Sequence, residues 1–152
     1  HTLLRFLIRL QAMYHRVPFH NFYLAADTAH SMSLLVKALE GTDVLTPLDK
    51  LVLLTAAVLS FVGHPGLNNS RQYTVSSATA PPTAVCGVPL QLQLHHTALG
   101  MQLLANPNYG ILQSLSKSDQ RNAKRDICGC LLGTDMALHK EVVSHGRAAL
   151  AS

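Results

Sequence analysis

Apolar positions recur with helical period along most of the chain. Leu3, Phe6, Leu7, Leu10 and Met13 form one stripe with Arg5 and Arg9 off it, which predicts a helix from Thr2 to about Tyr14. Pro18 interrupts the next stretch. Ala25, Ala29, Met32, Val36 and Leu39 then share a face, predicting a second helix from about Leu24 to Leu39, ended by Gly41. Thr46 has the chemistry of an N-cap, with Pro47 in the first helical position and Asp49 in the third, where a carboxylate favours the helix dipole. The helix that follows, to about Phe61, is apolar nearly all round and belongs at the centre of a bundle. Gly63-His64-Pro65-Gly66 breaks it. Thr74 to Pro89 is rich in Ser, Thr, Ala, Pro and Gly and predicts a flexible loop at 74–89. Helical character resumes from Leu90 to Leu104, and Asn106-Pro107-Asn108 turns the chain. Ser116, with Asp119 three residues on, caps a last helical stretch to about Ala149, with bends expected near Gly129 and Gly133. No segment reads as a strand and none repeats, so the fold class is all-α, a multi-helix bundle.

Composition sharpens this picture in three ways. The 152 residues are 48% apolar, enough for one domain with a sizeable core. Only 13% are charged, against about 25% in an ordinary soluble domain. An apolar face is therefore expected, kept for a partner or for the rest of a larger domain. The formal charge of +4 is spread along the chain. Lys117, Arg121 and Arg125 share one helical face, but no aromatic residues interleave them, so no nucleic-acid partner is expected. The best apolar run, Leu51 to Leu59, falls far short of a membrane span. Cys86, Cys128 and Cys130 are odd in number with no signal peptide before them, which points to a reducing compartment and a cytoplasmic location. The opening without Met suggests a fragment or a processed chain.

Nine histidines are the strongest compositional hint of chemistry. Metal-capable or proton-carrying groups collect in four places: His20 with Asp27 and His30, then His64, then His95–His96, then Asp135 with His139. No HExxH or CxxC pair is present, so a shared site would need ligands converging from separate helices. His95 and His96 are neighbours on a helix and are not expected to face one site together. Cys128 and Cys130, two apart, point to nearly opposite faces and make poor joint ligands.

Four segments, in order, carry a resemblance. VPFHNFYLAAD, from Val17 to Asp27, resembles the V-P-Y/F-H-N-x-x-H-A-x-D motif of class I cyclic nucleotide phosphodiesterases. GHPGLNNS, from Gly63 to Ser70, is similar to that family's H-D-x-x-H-P-G-x-x-N segment. LHHTALGMQLL, from Leu94 to Leu104, resembles its E-N-H-H helix, and GTDMALH, from Gly133 to His139, its A-T-D-M-x-x-H segment. The resemblance implies an all-helical catalytic domain that hydrolyses a cyclic nucleotide, cAMP or cGMP, to the 5′-monophosphate in signal transduction. It implies two divalent metals, zinc and magnesium or manganese, whose shared hydroxide attacks phosphorus while a histidine protonates the departing 3′ oxygen. His20 falls on that general-acid histidine, Asp135 on a metal aspartate, and His64 on a histidine near the second metal. Asn68, in the asparagine pair after Gly66, and His96 also fall on matching positions.

The same comparison exposes losses. Leu24 stands where a metal-ligating histidine is expected, Ser60 where the histidine of the His-Asp pair is expected, and Phe61 where the metal-bridging aspartate is expected. Three of the four tight-metal ligands are thus replaced. Gly63 replaces a further aspartate, and Gln93-Leu94 replace the Glu-Asn before the double histidine. Leu24 and Phe61 offer no lone pair, and one carboxylate cannot offset the dehydration of a divalent cation. The chain is expected to lack useful activity, with metal binding in doubt. The family's later helices, which hold the purine, would follow Asp135, and they are expected to be missing here. Two further readings stay open. One is an active phosphohydrolase with substitute ligands. The other is a non-enzymatic interaction module, forming a homo- or hetero-oligomer through exposed apolar surface.

Overall fold

A computed structural model describes residues 2–67 and 91–151. The expected loop at 74–89 lies outside the described residues, as do Asn68 and Cys86. Among the described residues there are six α-helices and no strand. They are α1 (Thr2–Ala12), α2 (Phe22–Ala38), α3 (Pro47–Leu59), α4 (Gln91–Ala105), α5 (Lys117–Leu132) and α6 (His139–Ala151), with a 3-10 turn at Met136–Leu138 before α6. No helix among the described residues is long and apolar enough to cross a membrane.

The helix boundaries follow local chemistry. Helix α2 starts earlier than Leu24 because Asn21 caps it, its side-chain oxygen accepting from the backbone N–H groups of Tyr23 and Leu24. Helix α3 starts where the sequence predicts. The Thr46 hydroxyl accepts from the Asp49 N–H, and the Asp49 carboxylate accepts from the Thr46 N–H at 2.9 Å, a complete capping box. Removing the cap with Thr46→Ala is expected to cost about 1 kcal/mol, read as a melting temperature lower by roughly 2–4 °C. The long C-terminal stretch is two helices rather than one bent helix. Gly133 ends α5, its N–H donating to the Gly129 carbonyl, whereas Gly129 itself sits inside the helix.

Helix α3 is the centre of the bundle, packed against both α2 and α5. Its buried Val52, Ala56 and Leu59 meet Ala25 of α2, Leu103 and Leu104 of α4, and Ala123, Ile127 and Leu131 of α5 in one core. From α1 only Phe6 and Leu10 are fully inside, and Leu3, expected on the buried stripe, is exposed. The chain after α1 is tied to the end of α3. The Tyr14 hydroxyl donates to the Val58 carbonyl at 2.6 Å, and its ring meets Phe22 edge-on. Burial of that phenol pushes its pKa up, which keeps it a neutral donor. These ties bring His20, just before α2, to the C-terminal end of α3.

Candidate functional site

The end of α3 turns through Ser60 to Gly66. Gly63 holds a positive φ of 67°, a conformation that glycine adopts without strain. Its N–H donates to the Met13 carbonyl at 3.1 Å, and its own carbonyl lies 3.1 Å from His95 Nε2. His96 Nδ1 lies 2.7 Å from the Val62 carbonyl. Both imidazoles must therefore donate a ring N–H to the turn. Neighbours on α4 thus do converge on one place, contrary to the expectation from helical geometry. Each reaches a successive carbonyl of the same backbone corner, with His96 buried and His95 on the outer side.

His64 accepts a hydrogen bond at Nδ1 from the Gly66 N–H, 3.0 Å away. That leaves its ring proton on Nε2. On one side its ring stacks on His20, with centroids 3.9 Å apart and planes 16° from parallel. On the other it runs parallel to His96 at 5.5 Å. Phe61 packs against His20, ring to ring at 5.2 Å, and Phe19 meets it edge-on. Helices α3 and α4 and the segment before α2 are joined here by a column of aromatic rings.

The column favours uncharged imidazoles. Burial, then the neighbouring histidines His20, His96, His95 and His15, bring the His64 pKa down to about 4. Burial brings His96 to about 4 against its bond to Val62, and burial also lowers His20.

The structure separates the sequence-predicted residues into two sets. His20 and His64 are brought into contact, and His96 joins them. Asp135 is buried in the turn between α5 and the 3-10 segment, where its carbonyl accepts from the Leu138 N–H. Asp27, His30 and His139 are exposed. Among the described residues no group of three or more His, Cys, Asp or Glu side chains is arranged to hold a metal ion.

The donor set explains this. Nitrogen lone pairs lie in the plane of an imidazole, so parallel rings stacked face to face aim them side by side rather than at one cation. His64 Nδ1 is already engaged with Gly66, and His96 Nδ1 with Val62. The buried Ser60 hydroxyl donates back to the Ala56 carbonyl at 2.9 Å. Leu24 and Phe61 supply carbon only. The residues present do not fit the two-metal centre that the resemblance implies.

Sequence reasoning found the histidines but missed the carbonyls of Val62 and Gly63 and the tether from Tyr14. The Gly63-His64-Pro65-Gly66 run was the available signal for the turn, since positive-φ backbone favours glycine. Nothing in the pattern announced that His95 and His96 would bond to its carbonyls.

The comparisons with known proteins agree with the fold. The 3′5′-cyclic nucleotide phosphodiesterase family model matches residues 19–152. The chain is 33% identical over 144 residues to the 3′,5′-cyclic-AMP phosphodiesterase 4C of Rattus norvegicus, covering 94% of this chain and 26% of that protein. It is 31% identical over 142 residues to the high affinity cGMP-specific 3′,5′-cyclic phosphodiesterase 9A of Mus musculus, covering 93% of this chain and 26% of that protein. The chain thus spans about a quarter of the length of these relatives. Among solved structures, the phosphodiesterase domain of the RhoPDE fusion protein from the choanoflagellate Salpingoeca rosetta superposes with a TM-score of 0.86 at 26% identity, over 95% of this chain and 44% of that one. LmjPDEB1 in complex with IBMX gives a TM-score of 0.85 at 32% identity, over 95% and 43%. With a family model covering most of its length and the same helical architecture, this chain belongs to the 3′5′-cyclic nucleotide phosphodiesterase family.

Proposed function

We infer that this chain is a phosphodiesterase-family domain that does not hydrolyse cyclic nucleotides, and that it acts as a non-catalytic helical module. Its relatives act on cAMP and cGMP, and their chemistry is metal-dependent. The observation that carries the reading is Phe61. Its ring packs against His20 at the position that the family motif gives to the metal-bridging aspartate. A benzene ring there occupies space and supplies no charge. Ser60 at the adjacent ligand position spends its hydroxyl on the α3 backbone.

His20, the general acid by resemblance, has a packing role in this reading. Its neutral ring holds the start of α2 to the end of α3 through His64 and Phe61. Asp135 remains as the surviving carboxylate of the family's ligand set, alone insufficient for a divalent ion. The half-buried thiols of Cys128 and Cys130 have pKa values raised by burial, which makes them poor nucleophiles and fits a structural role.

Metal content and turnover test the reading together. The purified helical protein is equilibrated with zinc, manganese and magnesium, passed through a desalting column and measured by elemental analysis. Hydrolysis of cAMP and cGMP is followed on the same sample. Substoichiometric metal and no turnover above buffer are expected. A stoichiometric metal lost in Asp135→Ala, with turnover of either nucleotide, would overturn the reading.

A further inference from the structure

The outer faces of α1 and of the corner between α2 and α3 carry complementary surfaces. On α1, Leu4 and Ile8 are 59% and 60% exposed at i and i+4, and so lie one above the other on the same side. Arg5 and Arg9 run alongside them, also exposed. At the other end of α2, Leu35 and Leu39 are 62% and 37% exposed, and Val44 in the following loop is 67% exposed. Glu40 and Asp43 stand beside these residues, exposed on the same segment.

None of these four charges forms an ion pair among the described residues, where Arg125–Asp126 is the salt bridge present. Of the other acids, Asp27 on α2 and Glu141 on α6 are exposed, and the remaining four are engaged or buried. Asp49 and Asp119 cap helices, Asp126 pairs with Arg125, and Asp135 is buried. The corner combines two unpaired carboxylates with exposed leucine and valine, with Lys37 also exposed in the last turn of α2, and α1 combines two arginines with exposed leucine and isoleucine. Exposed apolar stripes bordered by charge are the signature of docking faces rather than of solvated helices.

We propose that the Leu4–Ile8 stripe of one copy docks on the Leu35–Leu39–Val44 corner of a second copy, with Arg5 and Arg9 facing Glu40 and Asp43. The apolar contacts provide the attraction by removing leucine, isoleucine and valine surface from water. The charges fix which face meets which and oppose pairing of like faces. Because the two patches differ, every copy offers one of each.

Sedimentation equilibrium and light scattering on the full chain, across concentration and salt, read the assembly. A mass above the 16.4 kDa monomer is expected at low salt. Its dissociation constant should rise about tenfold between roughly 0.05 and 0.5 M NaCl, as the Debye length shrinks. Arg5→Glu/Arg9→Glu and Glu40→Lys/Asp43→Lys should each be monomeric. Mixed in equal amounts, they should associate again, because each reversed patch now meets its reversed partner and each native patch its native one. Circular dichroism confirms that both double variants stay helical, and the salt series on the unmodified chain needs no variant. A monomer throughout the range overturns the proposal, as it would if another polypeptide segment covers these faces. Association that survives either charge reversal, or that the mixture fails to restore, overturns it equally.

Discussion

Lowering the pH from 7 to 5 is expected to remove about 3 kcal/mol of folding stability, through two histidines whose folded pKa values lie near 4. The sign follows from proton binding. Unfolded, His64 and His96 return to the ordinary value of 6.5 and are protonated below it. Folded, they stay neutral until about pH 4, because burial and the surrounding imidazoles disfavour the cation. Between those values the unfolded chain binds more protons, so acid favours unfolding. The loss begins as pH falls through 6.5 and is complete below about 4. Each histidine that takes up a proton on unfolding contributes a slope of about 1.4 kcal/mol per pH unit in this window. Domains of this size have about 5–15 kcal/mol in hand, so the loss is large enough to shift urea midpoints plainly. Urea unfolding at pH 7, 6 and 5 measures it. His96→Gln, which keeps a donor for the Val62 carbonyl, should remove about half of the slope. A midpoint that stays constant from pH 7 to 5 would show that the ring column accepts charge.

The amphipathic pattern made the helices legible because each buries one face in a single core. The stripe through Phe6 and Leu10, the all-round apolarity of Val52 to Leu59 and the caps at Thr46 and Ser116 all survive in the structure. Of the boundaries that differ, the start of α2 depends on side-chain hydrogen bonding and the end of α5 on the backbone bonds of Gly133. Asn21 was visible, but periodicity alone could not show its amide turning onto the Tyr23 and Leu24 N–H groups. Leu3 reads as core by spacing, yet it sits in the first turn of α1, where the described bundle does not reach it. The candidate site was half legible. Residue types placed His20, His64 and His96 near one another only through family motifs. Their stacking depends on the Gly63 turn, the Met13 carbonyl and the Tyr14 tether, which are long-range backbone contacts without a local sequence signature.

Gly63 supports that whole arrangement, and Gly63→Ala is expected to destabilise the protein by about 3 kcal/mol, lowering its melting temperature by roughly 6–12 °C. Two costs add. A left-handed φ of 67° penalises any Cβ, by about 1 kcal/mol. The new atom would also overlap Leu99 Cδ1 and lie 3.0 Å from His95 Nε2, so Leu99 has to turn away and the His95 ring has to shift within its bond to the turn. Moving His95 and Leu99 disturbs α4 where His96 holds Val62, and the His64 stack rests on that same turn. Gly41→Ala is the control. Its φ is also left-handed, at 84°, but nothing lies within 4 Å of the added atom, so it should show the conformational cost alone. Thermal melts of the two variants separate strain from collision, and equal losses would sink the argument. Gly63→Asp, which restores the residue of the family motif, should fare no better than alanine, because its Cβ meets the same Leu99 and His95 atoms. The space beside the turn is already filled by the Leu99 and His95 side chains, so any side chain at position 63 has to displace residues of α4.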